Sequence, residues 1–224
     1  MSNQGEIFLA GASRGVGREI AQRLAAQLVP VKALLRSEAA QAELEALGIS
    51  VVIGDALNPA AVQRAMTGAP IQAVISTLGG LPQDGQRADY LGNKNLIDAA
   101  VQAGVQKFIL VSSIGSGNSR SAIPPQALEA LAAVLAEKEQ AEHYLIESGL
   151  TYVIIRPGGL KSEPATGTAV LTPDPTIAGT IHRADVAELV CKCLVSNQAN
   201  NRILSAVDRN MTYTQTDFEI LMLD

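Results

Sequence analysis

The chain has few of the residues that mark several common classes of protein. Its 224 residues include no tryptophan, three phenylalanines, four tyrosines, two cysteines and two histidines. Lysine and arginine form no run, and the net charge at pH 7 is −5. Nucleic acids and anionic membrane surfaces are therefore not expected as partners, because both require a basic surface.

Metal centres and disulfides are not expected either. The two cysteines, Cys191 and Cys193, stand two positions apart in a predicted helix, so their side chains point to different faces. Neither His143 nor His182 has a cysteine nearby in sequence that would complete a zinc site. Both cysteines are interpreted as packing residues.

Long apolar segments are also missing. No apolar run approaches the roughly 18 residues of a membrane-spanning helix. Residues 1–5 are polar and lack the charged region and apolar core of a signal sequence, so a cytoplasmic protein is predicted. Because 47% of the 224 residues are hydrophobic, the chain can bury one substantial core, which predicts a single domain over residues 1–224.

The most informative feature is a glycine-spaced turn between an apolar strand and a helix. Gly11 permits a tight exit from the strand, Gly15 leaves room for a pyrophosphate, and Gly17 lets the helix pack closely on the sheet. The N–H groups at the start of that helix would face an anion. The alternative is a turn that binds no ligand. The predicted phosphate cradle consists of Gly11, Ala12, Ser13, Arg14, Gly15, Val16 and Gly17.

A basic residue stands where NAD-binding chains usually carry an acidic one. Arg36 follows the second predicted strand, about 20 residues beyond the glycine turn. Its guanidinium can bind a 2′-phosphate, and Arg14 could approach the same group from the other side. This favours NADP(H) over NAD(H), although both arginines could instead be solvated surface charges.

Strand and helix patterns alternate along the chain. Predicted strands cover residues 50–53, 71–76, 107–112 and 151–156, and predicted helices cover residues 38–47, 88–103 and 126–147, with another beginning near Pro59. The alternation predicts an α/β fold, a single-domain Rossmann-type doubly wound, mostly parallel sheet with helices on both faces. Substrate-side loops are expected near 80–90, 114–125 and 160–180, at the carboxyl ends of the strands. The long loop over residues 161–179 is either a lid or substrate-binding segment or a flexible surface connection.

Several short segments resemble one known family. They are residues 11–17, 52–56, 74–79, 95–100, 108–113, 148–152, 156–160 and 183–187. Each is a weak motif, but together they cover almost the whole chain in the expected order. The chain resembles the atypical short-chain dehydrogenase/reductase group, which includes NmrA-like proteins and biliverdin reductase B/flavin reductase proteins.

The resemblance implies where the rest of the cofactor would lie. Asp55 and Ala56 would lie beside the adenine, with the carboxylate accepting from its exocyclic amine. Alternatively, Asp55 forms a turn or caps the helix that begins at Pro59. The other implied cofactor contacts are Thr77, Leu78 and Gly79 at the nicotinamide-side ribose, Ser112 and Lys138, and Pro157, Gly158 and Gly159 at the carboxamide.

The expected catalytic tyrosine is missing. Short-chain reductases commonly pair a serine with a Tyr-x-x-x-Lys motif, in which the lysine lowers the pKa of the tyrosine. Lys138 occupies the lysine position, but Val134 stands four positions before it, and Tyr144 would point to another face of the same helix. Lys138 could still hold the nicotinamide ribose while Ser113, or Ser112, polarises a substrate oxygen. Alternatively, the lysine is an exposed ion-pair partner and the serines bond to backbone.

Without the tyrosine, the favoured hydride acceptors are those that need little acid catalysis. We expect an NADPH-dependent oxidoreductase that transfers hydride to a small conjugated acceptor, namely a flavin, a biliverdin-like tetrapyrrole or a quinone. It would be a monomer or a small homo-oligomer. The alternative is a non-catalytic NADP(H)-binding redox sensor or an assembly or regulatory factor. An NAD-dependent epimerase or dehydratase fits poorly, because it needs the missing acid/base pair and an acidic residue in place of Arg36.

Overall fold

Strands and helices alternate in a computed structural model of the protein, which describes residues 5–80, 86–213 and 217–223. The strands are β1 (Glu6–Ala10), β2 (Val31–Leu35), β3 (Ser50–Ile53), β4 (Ile71–Ser76), β5 (Lys107–Val111), β6 (Thr151–Pro157), β7 (Gly159–Lys161), β8 (Ala169–Thr172), β9 (Thr180–His182) and β10 (Arg202–Asp208). The α-helices are α1 (Gly15–Ala26), α2 (Gln41–Ala46), α3 (Pro59–Ala65), α4 (Leu91–Gln102), α5 (Pro125–Glu147) and α6 (Arg183–Val195). Two 3₁₀ helices cover Glu38–Ala40 and Gly117–Ala122.

Eight of the strands form one sheet in the order β3-β2-β1-β4-β5-β6-β10-β8. All neighbours in it are parallel except β8, which pairs antiparallel with β10. β7 and β9 form a separate two-stranded parallel sheet. The predicted doubly wound, mostly parallel α/β fold is confirmed.

Side chains of the central strands alternate between two apolar layers. Ile7 and Leu9 of β1 pack into the layer covered by α1 and α6, whereas Phe8 and Ala10 pack into the layer covered by α3, α4 and α5. Both faces of the sheet are therefore buried, as helix-covered parallel sheets require. Full burial of a side chain such as Phe8 contributes about 1.5–3 kcal/mol to stability.

Local signals fix several helix ends as expected. Helix α3 begins at Pro59, and the side chain of Asn58 accepts a hydrogen bond from the Ala61 amide at 3.1 Å. Helix α5 begins at Pro125 and ends just before Gly149, which has a φ of +79°. Among the described residues, no helix is both long enough and apolar enough to cross a membrane.

Other boundaries differ from the sequence-based expectations. The helix predicted over residues 38–47 is a 3₁₀ turn followed by α2, although Ala40 and Leu44 still share one buried face. Helix α4 begins at Leu91 and not at residue 88. Part of the substrate-side loop expected near 80–90 lies outside the described residues.

The stretch 161–179 is not one irregular loop. Its first residue ends β7, and β8 forms in its middle because Val170 and Leu171 pack beside β10. Strands β8 and β10 were not anticipated from the sequence. They extend the sheet by two strands beyond β6.

Candidate cofactor-binding site

The predicted site residues meet at one edge of the sheet. The glycine turn follows β1, Arg36 follows β2, and Asp55 follows β3 by two residues. Thr77 follows β4 directly, and Ser112 follows β5 directly. Because these five strands are parallel, their carboxyl ends all lie at the same edge, where α/β sheets bind ligands.

The glycine turn has the shape of a cradle that side chains would fill. Gly11 and Gly15 have φ angles of +93° and +56°, which favour glycine. A Cβ added to Gly17 would overlap with the carbonyl oxygen of Gly11, so only glycine lets α1 approach the turn this closely. The hydroxyl of Thr77 lies 3.2 Å from the carbonyl oxygen of Ala10 and 3.3 Å from that of Gly11, and it fixes the turn to β4. These residues fit a bound pyrophosphate.

The first turn of α1 is prepared for an anion. It contains no acidic side chain, and no side chain caps its N-terminus. Its unpaired N–H groups carry the positive end of the helix dipole. Ser13 and Arg14, in the turn just before the helix, are exposed.

The two arginines expected at a 2′-phosphate lie on different sides of β1. Arg36 is exposed at the end of β2. Arg14 extends toward Gly80, because its Nη2 lies 3.1 Å from where a Cβ of Gly80 would be. Arg36 alone thus stands at the end of β2, and joint binding of one phosphate by both arginines stays a prediction.

Asp55 forms a turn, as one of its two interpretations predicted. Its Oδ1 accepts a hydrogen bond from the Leu57 amide at 2.9 Å, while the helix cap is supplied by Asn58. The Asp55 side chain is exposed and accessible to an adenine amine. The carbonyl oxygen of Ala56 accepts a hydrogen bond from Asn95 Nδ2 at 2.8 Å, which ties this segment to α4.

Lys138 is held at the end of β4 by a buried carboxylate. Its Nζ lies 3.0 Å from Oδ1 of Asp89, and the two side chains are 15% and 0% exposed. The pair is an ion pair without hydrogen-bond alignment, so neither Asp89 oxygen accepts a hydrogen bond from a described residue. A Cβ at Gly79 would lie 3.1 Å from Nζ and 2.7 Å from Oδ1. Lys138 is therefore not merely an exposed partner of its helix neighbours.

The hydroxyls of the two candidate serines are both engaged. Ser112 donates to Oε1 of Glu142, which also accepts from Nε of Arg156 at 3.0 Å. Nη2 of Arg156 donates to the other oxygen of Glu142 at 2.5 Å, and Nη1 donates to Asn118 at 2.6 Å. Ser113 donates to the carbonyl oxygen of Ile114 at 2.9 Å, as expected if a strand-end serine bonds to backbone. Ser113 is partly exposed, whereas Ser112 is buried.

Tyr144 does not replace the missing tyrosine. Its hydroxyl donates to Oδ1 of Asp98 on α4 at 2.6 Å, and its ring lies 4.9 Å from Nζ of Lys94. The hydrogen bond to the Asp98 carboxylate, with a contribution from burial, raises the pKa of Tyr144. Tyr144 thus packs against α4 and away from the end of β5, while Val134 occupies the tyrosine position.

A family model matches most of the chain, including the glycine turn. The model, described as NAD(P)H-binding, matches residues 11–197. The chain belongs to this NAD(P)H-binding family. The resemblance to atypical short-chain dehydrogenases/reductases is confirmed with it.

Relatives of this NAD(P)H-binding protein carry different names. The solved structure of ChuY, an anaerobillin reductase from Escherichia coli O157:H7, has a TM-score of 0.83, is 34% identical, and covers 91% of this chain and 97% of its own. A Bacillus subtilis protein named as an uncharacterized sugar epimerase is 34% identical over 88% of this chain and 91% of its own. Sanguinarine reductase from Eschscholzia californica is 29% identical over 88% of this chain and 86% of its own.

In this NAD(P)H-binding protein, hydrogen bonds tie the stretch 161–179, for which a lid, a substrate-binding segment and a flexible surface connection were the alternatives, to the body of the fold. The carboxylate of Asp185 on α6 accepts hydrogen bonds from the amides of Thr166 at 2.9 Å and Gly167 at 3.0 Å. Asp208 at the end of β10 accepts from the hydroxyls of Thr166 at 2.5 Å and Thr168 at 2.8 Å. The segment is anchored by two buried carboxylates, so closure over a ligand would first require breaking these bonds.

The cysteines pack as predicted from the sequence. Both are buried in α6, and burial raises the pKa of Cys191 to about 11 and that of Cys193 to about 12. The described residues contain no cluster of three or more His, Cys, Asp or Glu side chains able to hold a metal ion.

The charged residues that hold Lys138 and Ser112 in place were not predicted from the sequence. Asp89 precedes α4 and carried no motif. Glu142 stands one helical turn after Lys138, and this spacing places both on one face of α5. Arg156 lies inside an otherwise apolar strand, and its burial required a partner such as Glu142. Those two signals were present in the sequence, whereas nothing in it paired Asp89 with Lys138.

Proposed function

We propose that this protein is an NADPH-dependent reductase that transfers hydride to a small conjugated acceptor, namely a flavin, a biliverdin-like tetrapyrrole or a quinone. The family binds NAD(P)H, and two of the relatives named above are reductases. The anaerobillin reductase activity named for ChuY supports a bilin as one member of the acceptor class.

The preference for NADPH rests on Arg36. It is exposed at the end of β2 and forms no ion pair with a described carboxylate. A guanidinium at this position can bind two oxygens of a 2′-phosphate in parallel, whereas it pairs less strongly with the uncharged hydroxyls of a ribose diol.

The proposal rests on the position of Lys138 and on the residues around it. Its ammonium group is fixed beside Gly79 by Asp89, where it can donate to the hydroxyls of the nicotinamide ribose. Val134 takes the place of the tyrosine one turn earlier, and Tyr144 is bonded to Asp98. The helix therefore retains the group that positions the cofactor but lacks the tyrosine proton donor.

The acceptor must accordingly need little acid catalysis from the protein. When bound, a nicotinamide would supply the hydride, and a proton from water would complete the two-electron reduction of a conjugated acceptor. Ser113, at the end of β5, is the side chain we assign to polarise an acceptor oxygen, after its hydroxyl leaves the Ile114 carbonyl. Glu142 and Arg156 hold Ser112 beside it in one orientation.

The alternative is a non-catalytic NADP(H)-binding sensor or an assembly or regulatory factor. It is favoured by the engagement of both serine hydroxyls within the protein. An epimerase, the activity named for the Bacillus subtilis relative, is disfavoured because Val134 cannot exchange a proton.

The decisive experiment measures NADPH binding and NADPH oxidation together. Binding is followed by calorimetry, and oxidation by the loss of nicotinamide absorbance with FMN, biliverdin and quinones as separate acceptors. We expect oxidation with at least one acceptor, a reduced rate in Ser113→Ala, and weaker NADPH binding in Lys138→Ala. Lys192→Ala, an exposed lysine of α6, is the control that should retain both properties.

The outcomes separate the two candidates. Binding without oxidation of any acceptor would support the sensor, and absence of binding would overturn both. The cytoplasm, and a monomer or small homo-oligomer, stay our predictions for location and assembly.

A further inference from the structure

Arg183 reaches the glycine turn from the far end of the sequence. It is the first residue of α6, which packs against α1. Its Nε lies 3.7 Å, and its Cδ 3.9 Å, from the point where a Cβ of Gly15 would be. The guanidinium therefore lies beside Gly15, the glycine that is predicted to leave room for a pyrophosphate.

Contacts with the segment that follows β6 hold the Arg183 side chain in this position. Nη1 of Arg183 donates to the hydroxyl of Ser162 at 2.7 Å and lies 3.4 Å from the carbonyl oxygen of Leu160. Both partners belong to the segment that contains β7, which follows β6 at the carboxyl edge of the sheet. Two neutral acceptors orient the guanidinium without neutralising its charge.

Two positive features, Arg183 and the first turn of α1, lie beside Gly15 and lack a counterion within the described part of the chain. Arg183 forms no ion pair there within 4.0 Å. The first turn of α1 offers unpaired amides and no acidic side chain. An anion at this point would be bound by both the helix N-terminus and a side chain.

We propose that Arg183 binds the pyrophosphate of the nicotinamide dinucleotide, across the glycine turn from α1. This inference rests on the proposed function, since it assigns a further residue to the same cofactor. The pyrophosphate is common to NADP(H) and NAD(H), so Arg183 contributes affinity without choosing between them. Arg36 makes that choice at the 2′-phosphate. Ser162 is a positioning residue, because it acts on the cofactor only through Arg183.

The test compares three ligands that differ in their phosphates. NADP⁺ contains both the pyrophosphate and the 2′-phosphate, NAD⁺ contains only the pyrophosphate, and adenosine 2′-monophosphate contains only the 2′-phosphate. Arg183→Gln should weaken NADP⁺ and NAD⁺ by the same factor, about 10- to 100-fold for one charged hydrogen-bonding partner. Binding of adenosine 2′-monophosphate should not change.

A matched control and a conservative variant distinguish loss of the Arg183 contact from misfolding. Arg202→Gln removes an exposed arginine at the amino end of β10, away from the carboxyl edge, and should bind all three ligands like the parent. Arg183→Lys retains the positive charge and should lose less affinity than Arg183→Gln. Ser162→Ala should weaken both dinucleotides by about threefold, the effect of one neutral hydrogen bond. If Arg183→Gln does not fold, the lysine and alanine variants carry the test.

A spectroscopic readout locates the contact without reference to turnover. The ³¹P resonances of the pyrophosphate in bound NADP⁺ should shift between the parent and Arg183→Lys, while the 2′-phosphate resonance stays in place. Unchanged dinucleotide affinity in Arg183→Gln, or equal loss for adenosine 2′-monophosphate, would overturn the inference but leave the proposed function standing. A parent that binds no nicotinamide dinucleotide would overturn the proposed function as well.

Discussion

Lys138 and Asp89 form an ion pair, 3.0 Å from Nζ to Oδ1, in space left free by the missing side chain of Gly79. The lysine comes from α5, and the aspartate lies just before α4. Gly79 therefore leaves room for this ion pair, in addition to its predicted role beside the nicotinamide ribose. The same pair that orients Lys138 also joins two helices at the carboxyl edge of the sheet.

Removal of the lysine should destabilise the fold, because Asp89 has no exposed surface. Lys138→Met leaves a buried carboxylate without its cation, and we expect a loss of about 3–5 kcal/mol in the free energy of unfolding. Urea denaturation measures it. The double variant with Asp89→Asn should recover part of the loss, since no buried charge then remains unpaired. A Lys138→Met variant as stable as Lys192→Met would show that the pair contributes nothing.

Substitution of Gly17 should weaken NADP(H) binding by more than a loss of stability would explain. Gly17→Ala places a methyl group onto the carbonyl oxygen of Gly11, so α1 must move away from the turn. We expect NADP(H) affinity to fall below detection by calorimetry. Gly48→Ala is the control, because φ there is +80° but the space is open. It should cost about 1–2 kcal/mol in stability and leave binding intact. Equal affinities in the two variants would contradict the cradle.

The sequence predicted the architecture better than the reaction site. Glycine spacing, Pro59 and the alternation of apolar strands are local signals, and they predicted the order of elements from β1 to β6. β8 (Ala169–Thr172) was not predicted because it is short, lies among prolines and threonines, and forms only when its antiparallel partner is present. This reason does not apply to β10, which is seven residues long and mostly buried.

The charged contacts of the site escaped for a related reason. Asp89 and Lys138 are 49 positions apart, and Ser112 and Glu142 are 30 apart, so each pair depends on how α5 packs against the rest of the fold. The helical spacing of Lys138 and Glu142 shows that they share a face, but not which residue outside α5 each one contacts. The sequence therefore indicated which types of group were present but not their partners.

Cofactor choice can be tested at Arg36. Arg36→Asp replaces a cation by an anion at the end of β2, and it should weaken NADP⁺ binding by at least about 100-fold through loss of a charged contact and added repulsion. NAD⁺ binding should weaken little or improve, because a carboxylate can accept from both ribose hydroxyls. Arg64→Asp, at an exposed position in α3, should leave both affinities unchanged. Equal losses for the two dinucleotides would exclude Arg36 as the 2′-phosphate contact.

The hydrogen bonds that hold the segment around Thr166 to Asp208 should make the stability of the folded protein depend on pH in the acid range. Burial raises the pKa of Asp208, but hydrogen bonds from Thr166, the Asn210 amide and Thr168 outweigh it, and the net pKa is lowered from 3.8. A carboxylate with a lowered pKa in the folded state contributes stability that is complete above the unfolded-state value and is lost as pH falls through the folded-state value. The parent should therefore lose stability below about pH 4, where unperturbed aspartates become protonated.

Asp208→Asn should flatten this part of the profile, because the amide cannot titrate. It should also be less stable than the parent at neutral pH, where the hydrogen bonds to the charged carboxylate are complete. Urea denaturation of both proteins between pH 2 and 7 measures the difference, at about ten pH values. Asp217→Asn, which alters an exposed carboxylate, is the control and should follow the parent. If Asp208→Asn keeps the full acid dependence of the parent, the anchoring bonds of Asp208 do not contribute to it.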